Sequence, residues 1–356
     1  MLVPHLHPLL ASGRRYFKLI CGANFTDYAQ LRYLAAVYAL AGGDLIDVAA
    51  TPEAVEAALA GIADARAQAQ SFEHAAEPLV MVSVTAGDDP HCRLAVKIAE
   101  RCSWVCPHCR DACPHGAIDP EFNILADRCV GCDLCVPACP YDAIRMEHVP
   151  FNPSLVLLWE AGARALELHT GSGDLAELVA WQASCREWVA KGGLFSVSLN
   201  AVQMTVDAAA RLAKEVASWF PGVRIVVQAD GKPISGTSGR ESTLPAIAFS
   251  QALLAAGVPA AVQPAGGAND HTGAVASERG VPIAGVGIGS FARCIIVGKS
   301  ETQRTLQARD PGAPLDVTVI QDVERARQLV ESVHAGEEGI EWRYTAKRTS
   351  PTTWGS

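Results

Sequence analysis

No apolar run in this sequence approaches the ~20 residues that a membrane-spanning helix needs; the best candidate is interrupted by Asp44 and Asp47. No membrane span is therefore expected. A basic excess is missing too: 38 acids outnumber 29 Lys and Arg, leaving a net charge of −9. That balance argues against a protein that tracks nucleic-acid phosphates. A secretory start is also lacking, because Arg14 and Arg15 follow the first apolar stretch instead of preceding it, the reverse of a signal peptide. A cytoplasmic protein is expected. Charged residues make up only 19% of the chain against 49% hydrophobic, which excludes a disordered chain and allows a sizeable core. The 356 residues suit two domains, or one large barrel carrying an insertion.

What the sequence does have is clustered cysteine. Of 12 cysteines, eight fall close together: Cys102, Cys106, Cys109, Cys113, Cys129, Cys132, Cys135 and Cys139. Disulfide scaffolds are small and secreted, so this clustering points to metal. The second group reads C-x2-C-x2-C-x3-C-P from Cys129 to Pro140, the run of bacterial ferredoxins. The first reads C-x3-C-x2-C-x3-C-P from Cys102 to Pro114. At an offset of 26 residues, Cys106, Cys109, Cys113, Pro114, Ala117 and Ile118 superimpose on Cys132, Cys135, Cys139, Pro140, Ala143 and Ile144.

Such a repeat is what a pseudo-twofold module requires. Three cysteines of each run grip one cube and the fourth crosses to the other. The expected ligands are Cys102, Cys106, Cys109 and Cys139 for one [4Fe-4S] cluster, and Cys129, Cys132, Cys135 and Cys113 for the second. The Ala–Ile pairs are expected to pack over the cubes. Cys102 breaks the repeat, since the counterpart of Cys129 would stand at position 103, which is Ser103. Either one extra loop residue is absorbed, or the first cluster has three cysteine ligands and is labile. Two rivals exist. Cys102-x3-Cys106-x2-Cys109 is also the spacing of radical S-adenosylmethionine enzymes, but that reading leaves five of the eight cysteines without a role. Zinc binds closely packed C-x2-C pairs but fits runs ending in Cys-Pro poorly.

Elsewhere, apolar β-rich runs at residues 17–21, 45–48, 79–84, 165–168, 194–199, 224–228, 260–263 and 283–286 alternate with helical stretches at 27–41, 52–69, 204–217 and 243–256. Eight such strands predict an α/β fold, a (β/α)8 barrel with an inserted bacterial-type two-cluster ferredoxin module. A doubly wound open sheet would read similarly. The expected organisation is a discontinuous barrel-like domain (residues 1–97 and 149–336), a ferredoxin-like domain (98–148) and a C-terminal tail (337–356), either extended or disordered or packed on the barrel through Ile340, Trp342 and Tyr344. The module follows the third strand, and a helical stretch at 153–163 leads into the fourth. Loops after strands crowd the C-terminal face, where barrels keep their sites, so the clusters are expected at the barrel mouth.

Polar and small residues gather at the same strand ends. Gly266, Gly267 and Asn269 follow the seventh strand; Gly287, Gly289 and Ser290 follow the eighth. Backbone N–H groups there can approach an anion, at the usual phosphate position of this fold. These six are candidate binders of FMN or another phosphate-bearing ligand; the alternative is that the glycines serve only tight turns. No lysine ends strands four to eight to settle a reduced flavin. His169 and His271 could act as acid–base groups or cap loops. Asp230 reads first as an Asx turn before Gly231 and second as a ligand residue. Cys21, Cys92, Cys185 and Cys294 read as structural. Residues 98–148 carry eight acids and four arginines, a surface that suits either a basic partner or plain solubility.

Residues 17–23 (Phe-Lys-Leu-Ile-Cys-Gly-Ala), 46–50, 228–233 (Gln-Ala-Asp-Gly-Lys-Pro), 263–272 and 289–293 resemble the light-dependent period A family of cyanobacteria, and the tandem ferredoxin runs fall where that family carries them. The likeness covers about residues 14–298. It implies an iron–sulfur protein that senses redox state, modulates the circadian clock in response to light and associates with clock-input proteins or a redox partner. It carries over the eight cysteines as cluster ligands and supplies no catalytic residue. The alternative is a ferredoxin-coupled reductase, an oxidoreductase acting on a ligand at the C-terminal face of the barrel.

Overall fold

The computed structural model describes residues 6–87, 93–148, 153–171, 173–232, 238–297 and 317–335. Cys92 and the tail from residue 337 lie outside the described residues. Ten strands follow in chain order: β1 (Tyr16–Ile20), β2 (Leu45–Ala49), β3 (Leu79–Thr85), β4 (Arg93–Lys97), β5 (Ile144–His148), β6 (Ala165–His169), β7 (Leu194–Asn200), β8 (Val226–Asp230), β9 (Ala261–Ala265) and β10 (Gly285–Ile288).

Eight of them form one parallel sheet in the order β10-β1-β2-β3-β6-β7-β8-β9. The order follows the chain without reversal, so there is no topological switch point of the kind an open doubly wound sheet has. The seam between β9 and β10 is bridged where Ala284 N–H donates to Val262 O at 2.8 Å. The result is a nearly closed barrel. Helices Tyr28–Leu40, Pro52–Gln68, Val206–Ser218 and Arg240–Ala255 lie on its outside. The Asp27, Thr51 and Thr205 side chains cap the first three by accepting from backbone N–H groups, the usual chemistry of a helix start.

The strands are buried on both faces, but the two faces differ. Phe17, Leu19, Ile46, Val48, Val80 and Val82 face the helices and join the main apolar core. The inward residues form layers. Tyr16, Leu45, Met81, Ala165, Leu194, Val226 and Ala261 make an apolar floor. Two residues further along each strand stand Lys18, Asp47, Ser83, Glu167, Ser196, Gln228 and Gln263, all buried. The barrel is therefore greasy at one end and polar towards its mouth.

The three last barrel strands extend about two residues further than their apolar runs suggest, so Asp230 and Gly287 lie inside β8 and β10. The module occupies the β3–β6 connection. Its antiparallel pair β4–β5 brings Arg93 opposite His148 and Lys97 opposite Ile144, so the pairing begins before residue 98. The module docks on the mouth: Thr26 N–H donates to Asp127 O at 3.0 Å, Asn24 Nδ2 to Arg93 O at 3.3 Å, and Ser290 Oγ lies 3.3 Å from His115 Nε2.

Candidate functional site

The eight clustered cysteines surround two cavities. Cys102, Cys106, Cys109 and Cys139 line one, with Ile118, Phe122 and Ile144. Cys113, Cys129, Cys132 and Cys135 line the other, with Ala117, Ile118 and Met146. Burial, reinforced by Cys132, Cys129 and Cys113, pushes the Cys135 thiol up to about 12. Burial together with Cys139 and Cys102 likewise raises Cys109. A mononuclear zinc site needs sulfurs only about 3.8 Å apart around one point. Among the described residues no three Cys, His, Asp or Glu side chains converge so tightly. Sulfurs that surround a cavity suit a polynuclear cluster.

Backbone geometry repeats with the sequence. Ala117 N–H donates to Cys113 Sγ at 3.4 Å, and Ala143 N–H to Cys139 Sγ at 3.3 Å. Gly116 and Asp142 both adopt positive φ, 60° and 48°. Further N–H···S bonds run from Ala95 to Cys129 and from Trp104 to Cys102, each 3.4 Å. Such bonds tune cluster potentials. The mismatch at Cys102 is absorbed locally: Trp104 and Gly131 have positive φ of 59° and 71° and are equivalent when counted from Cys102 and Cys129. Val105 is then the additional residue, and it is 80% exposed. The chain bulges outward there while Cys102 still faces the cavity.

A third cavity of about 160 Å³ lies between the module and the barrel mouth. Its roof is the loop of Val130, Gly131, Cys132 and Asp133, and its floor includes Asp47, Glu167, His169 and Asp230. Beneath it, Lys18 Nζ lies 3.0 Å from Asp47 Oδ2 and 2.8 Å from Glu167 Oε2, and donates to Gln228 Oε1 at 3.0 Å. Ser83 Oγ donates to Asp47 at 2.7 Å, Ser196 Oγ to Glu167 at 2.8 Å, and His169 Nε2 lies 3.3 Å from Glu167 Oε1. Burial alone would raise Glu167; the Lys18 charge and the His169 hydrogen bond outweigh it and hold Glu167 at about 2. Burial would lower Lys18, but Asp47 and Glu167 raise it above its ordinary value. Lys18 is a fixed cation.

Of the loop residues picked out as ligand binders, Gly266, Gly267, Gly287, Gly289 and Ser290 line this cavity. Asn269 is fully buried elsewhere: its Nδ2 donates to Gly239 O at 2.8 Å and Ser242 Oγ at 2.9 Å, holding the loop. Gly267, at φ 88°, leaves no room for a Cβ, which would meet Ser242 O at 2.4 Å. His169 lines the cavity, whereas the His271 side chain is half-exposed beside Asp270. Asp230 does not make the Asx turn read from its sequence. It ends β8, points inward and accepts from Ser198 Oγ and Gln228 Nε2. Cys21 and Cys185 are buried, and burial pushes each thiol up to about 12. Cys294 donates to Pro114 O at 3.6 Å, on the module side. Sequence reasoning missed Lys18, Glu167 and Arg293. The available signal was polar residues at alternate positions of strands otherwise buried on both faces.

Among the described residues, no helix is long and apolar enough to cross a membrane. Residues 157–332 match the family model described as the light dependent period A C-terminal domain, and residues 122–145 match the 4Fe-4S binding domain. The chain is 34% identical to Light dependent period A of Synechococcus elongatus over 310 residues, 82% of this chain and 85% of that one. Over 50 residues, 12% of this chain and 29% of the other, it is 42% identical to the electron transport protein HydN of Escherichia coli. Its global likeness to tryptophan synthase of Mycobacterium tuberculosis is loose, with TM-score 0.45 and 15% identity over 92% of this chain and 98% of that one. The ferredoxin-type cysteine runs, the barrel and the extended sequence likeness converge: the chain is an iron–sulfur protein and belongs to the light dependent period A family.

Proposed function

We propose that the protein carries two [4Fe-4S] clusters, held by Cys102, Cys106, Cys109 and Cys139 and by Cys113, Cys129, Cys132 and Cys135, in a module that opens with β4. The observation that supports this most is the pair of four-cysteine cavities related by the 26-residue repeat. Bound clusters would supply one-electron redox chemistry. The chain's own contribution is to exclude water with Ile118, Ile144 and Met146, and to direct backbone N–H groups at the sulfurs.

On this reading the protein is a redox sensor or electron-transfer component. The name of the Synechococcus relative, Light dependent period A, supports a role in light-dependent period control, which on this reading is exerted through clock-input proteins or a redox partner. The cluster-two loop forms the roof of the barrel-mouth cavity, so a change around Cys132 would reach the barrel surface directly. Spectroscopic titration of the clusters, with partner affinity measured at each potential, tests the sensor. Affinity that differs between oxidised and reduced protein supports it; equal affinity refutes it.

A second reading is favoured by the same cavity: a ferredoxin-coupled reductase acting on a molecule held beneath Cys132. Its volume of about 160 Å³ matches a space that holds a single aromatic ring, so FMN would require the module to lift. A yellow cofactor co-purifying anaerobically would support that arrangement.

A further inference from the structure

Two buried charged side chains on the barrel-mouth cavity form no salt bridge among the described residues. Arg293, in the helix Ser290–Val297, is only 6% exposed. Its Nη2 makes one long bond to Ser290 Oγ, 3.4 Å, and its Nε has no hydrogen-bond partner among the described residues; the guanidinium lies 5.5 Å from the Phe25 ring and feels the Cys21, Cys132 and Cys294 sulfurs. No carboxylate among the described residues pairs with it. Asp230 lines the same cavity, is 8% exposed and, among the described residues, accepts from Ser198 and Gln228; no cation among them pairs with it. Lys18 is already shared by Asp47 and Glu167, leaving three carboxylates to one lysine inside the barrel. A buried charge without a counter-charge is strongly unfavourable. Here a cation and an anion that line one cavity both lack a salt-bridge partner among the described residues.

We propose that this cavity is a binding site for a small zwitterion of the free amino-acid class, its carboxylate on Arg293 and its ammonium on Asp230. Several features suit that ligand. The cavity of about 160 Å³ admits a molecule about the size of one ring. The N-terminus of the helix Ser290–Val297 adds positive potential on the Arg293 side. Gly289 leaves the backbone open to approach, with no atom closer than 3.6 Å to an added Cβ. His169 and Ser83 also line the cavity on the side of the barrel floor. A phosphate would bring two negative charges towards Asp47, Glu167 and Asp230, which the floor disfavours. The proposal does not require the clusters to carry a signal. It requires only that the loop bearing Cys132 form the roof.

The test is calorimetric titration of the anaerobically purified holoprotein, with iron content checked in every sample. The probes are glycine, L-alanine, L-serine and L-valine, each beside its amine-only and acid-only analogues. The expected result is binding of at least one amino acid, with both analogues weaker by about 30-fold or more, because each leaves one buried charge unpaired. Asp230→Asn, which keeps shape, and Arg293→Met should each lose binding by a similar factor while retaining iron. Three results would overturn the proposal. In one, no amino acid binds. In another, an acid-only analogue binds as well as its parent, which would leave a plain anion site. In the third, Arg293→Met shifts a cluster potential in ligand-free protein and no probe binds, which would make Arg293 a counter-charge of cluster two.

Discussion

Replacing Lys18 by Met should destabilise the barrel far more than an ordinary core substitution. The side chain is fully buried, 3.0 Å from Asp47 and 2.8 Å from Glu167. Met fills most of the same volume, so the loss is electrostatic. Removing one partner of a buried ion pair costs roughly 3–5 kcal/mol. Ser83 and Ser196 still donate to the two carboxylates, and His169 still faces Glu167, which places the expected loss near the lower end, about 3 kcal/mol. At roughly 2–4 °C per kcal/mol, the melting temperature should fall by about 6–12 °C. Replacing the whole group together (Lys18→Met with Asp47→Leu and Glu167→Met) should recover most of that loss, since a well-packed apolar substitute for a buried ion group is often neutral or better. Reversible urea unfolding followed by circular dichroism measures both. A single variant within about 1 kcal/mol of wild type, or a triple variant less stable than the single one, would refute the reasoning.

Glu167 gives a pH dependence of definite sign. Its folded value of about 2 lies below its ordinary 4.5, so its stabilisation is present above pH 4.5 and is lost as pH falls through about 2. Asp47, raised by burial, acts in the opposite sense, so the informative quantity is the wild-type curve minus that of Glu167→Gln, which should shrink steadily on acidification. Cys113→Ser alters the first run in sequence but lines the second cavity. Anaerobic iron analysis should therefore show loss of the cluster held by Cys129, Cys132 and Cys135, with the other retained. Deleting Val105, the exposed bulge residue, should make the two runs equivalent and leave the iron content unchanged; loss of one cluster would show that the bulge is needed to place Cys102. Gly61→Ala would bring a Cβ within 2.1 Å of Arg32 O between two packed helices, and thermal unfolding should register a loss of about 1–3 kcal/mol.

The cysteine runs were legible because their chemistry is local: ligand spacing, the Cys-Pro endings and the 26-residue offset all lie within one short stretch. The barrel was legible because outward-facing residues such as Ile46, Val48, Val80 and Val82 combine with the apolar inner floor to give strands that read as continuous hydrophobic runs. That same reading hid the polar inner layer. Lys18, Asp47, Ser83 and Glu167 each stand singly among apolar neighbours, and only barrel closure shows that they meet. Asp230 and Gly287 read from sequence as loop residues beyond the strand ends, because Asp and Gly usually end strands; the strands continue through them, since the interior is polar there. Arg293 gave no local signal, sitting in an otherwise apolar helix. Its meaning depends on a cavity assembled from residues as far apart as Ile20, Cys132 and Asp230.

The central claim is two cubes held by eight cysteines, and anaerobic quantification of iron and acid-labile sulfide per chain, paired with low-temperature electron paramagnetic resonance of the reduced protein, meets it most directly. The account predicts about eight iron and about eight sulfide, with the spin–spin interaction of two neighbouring reduced clusters. About four iron with an isolated signal, or zinc without sulfide, would contradict it.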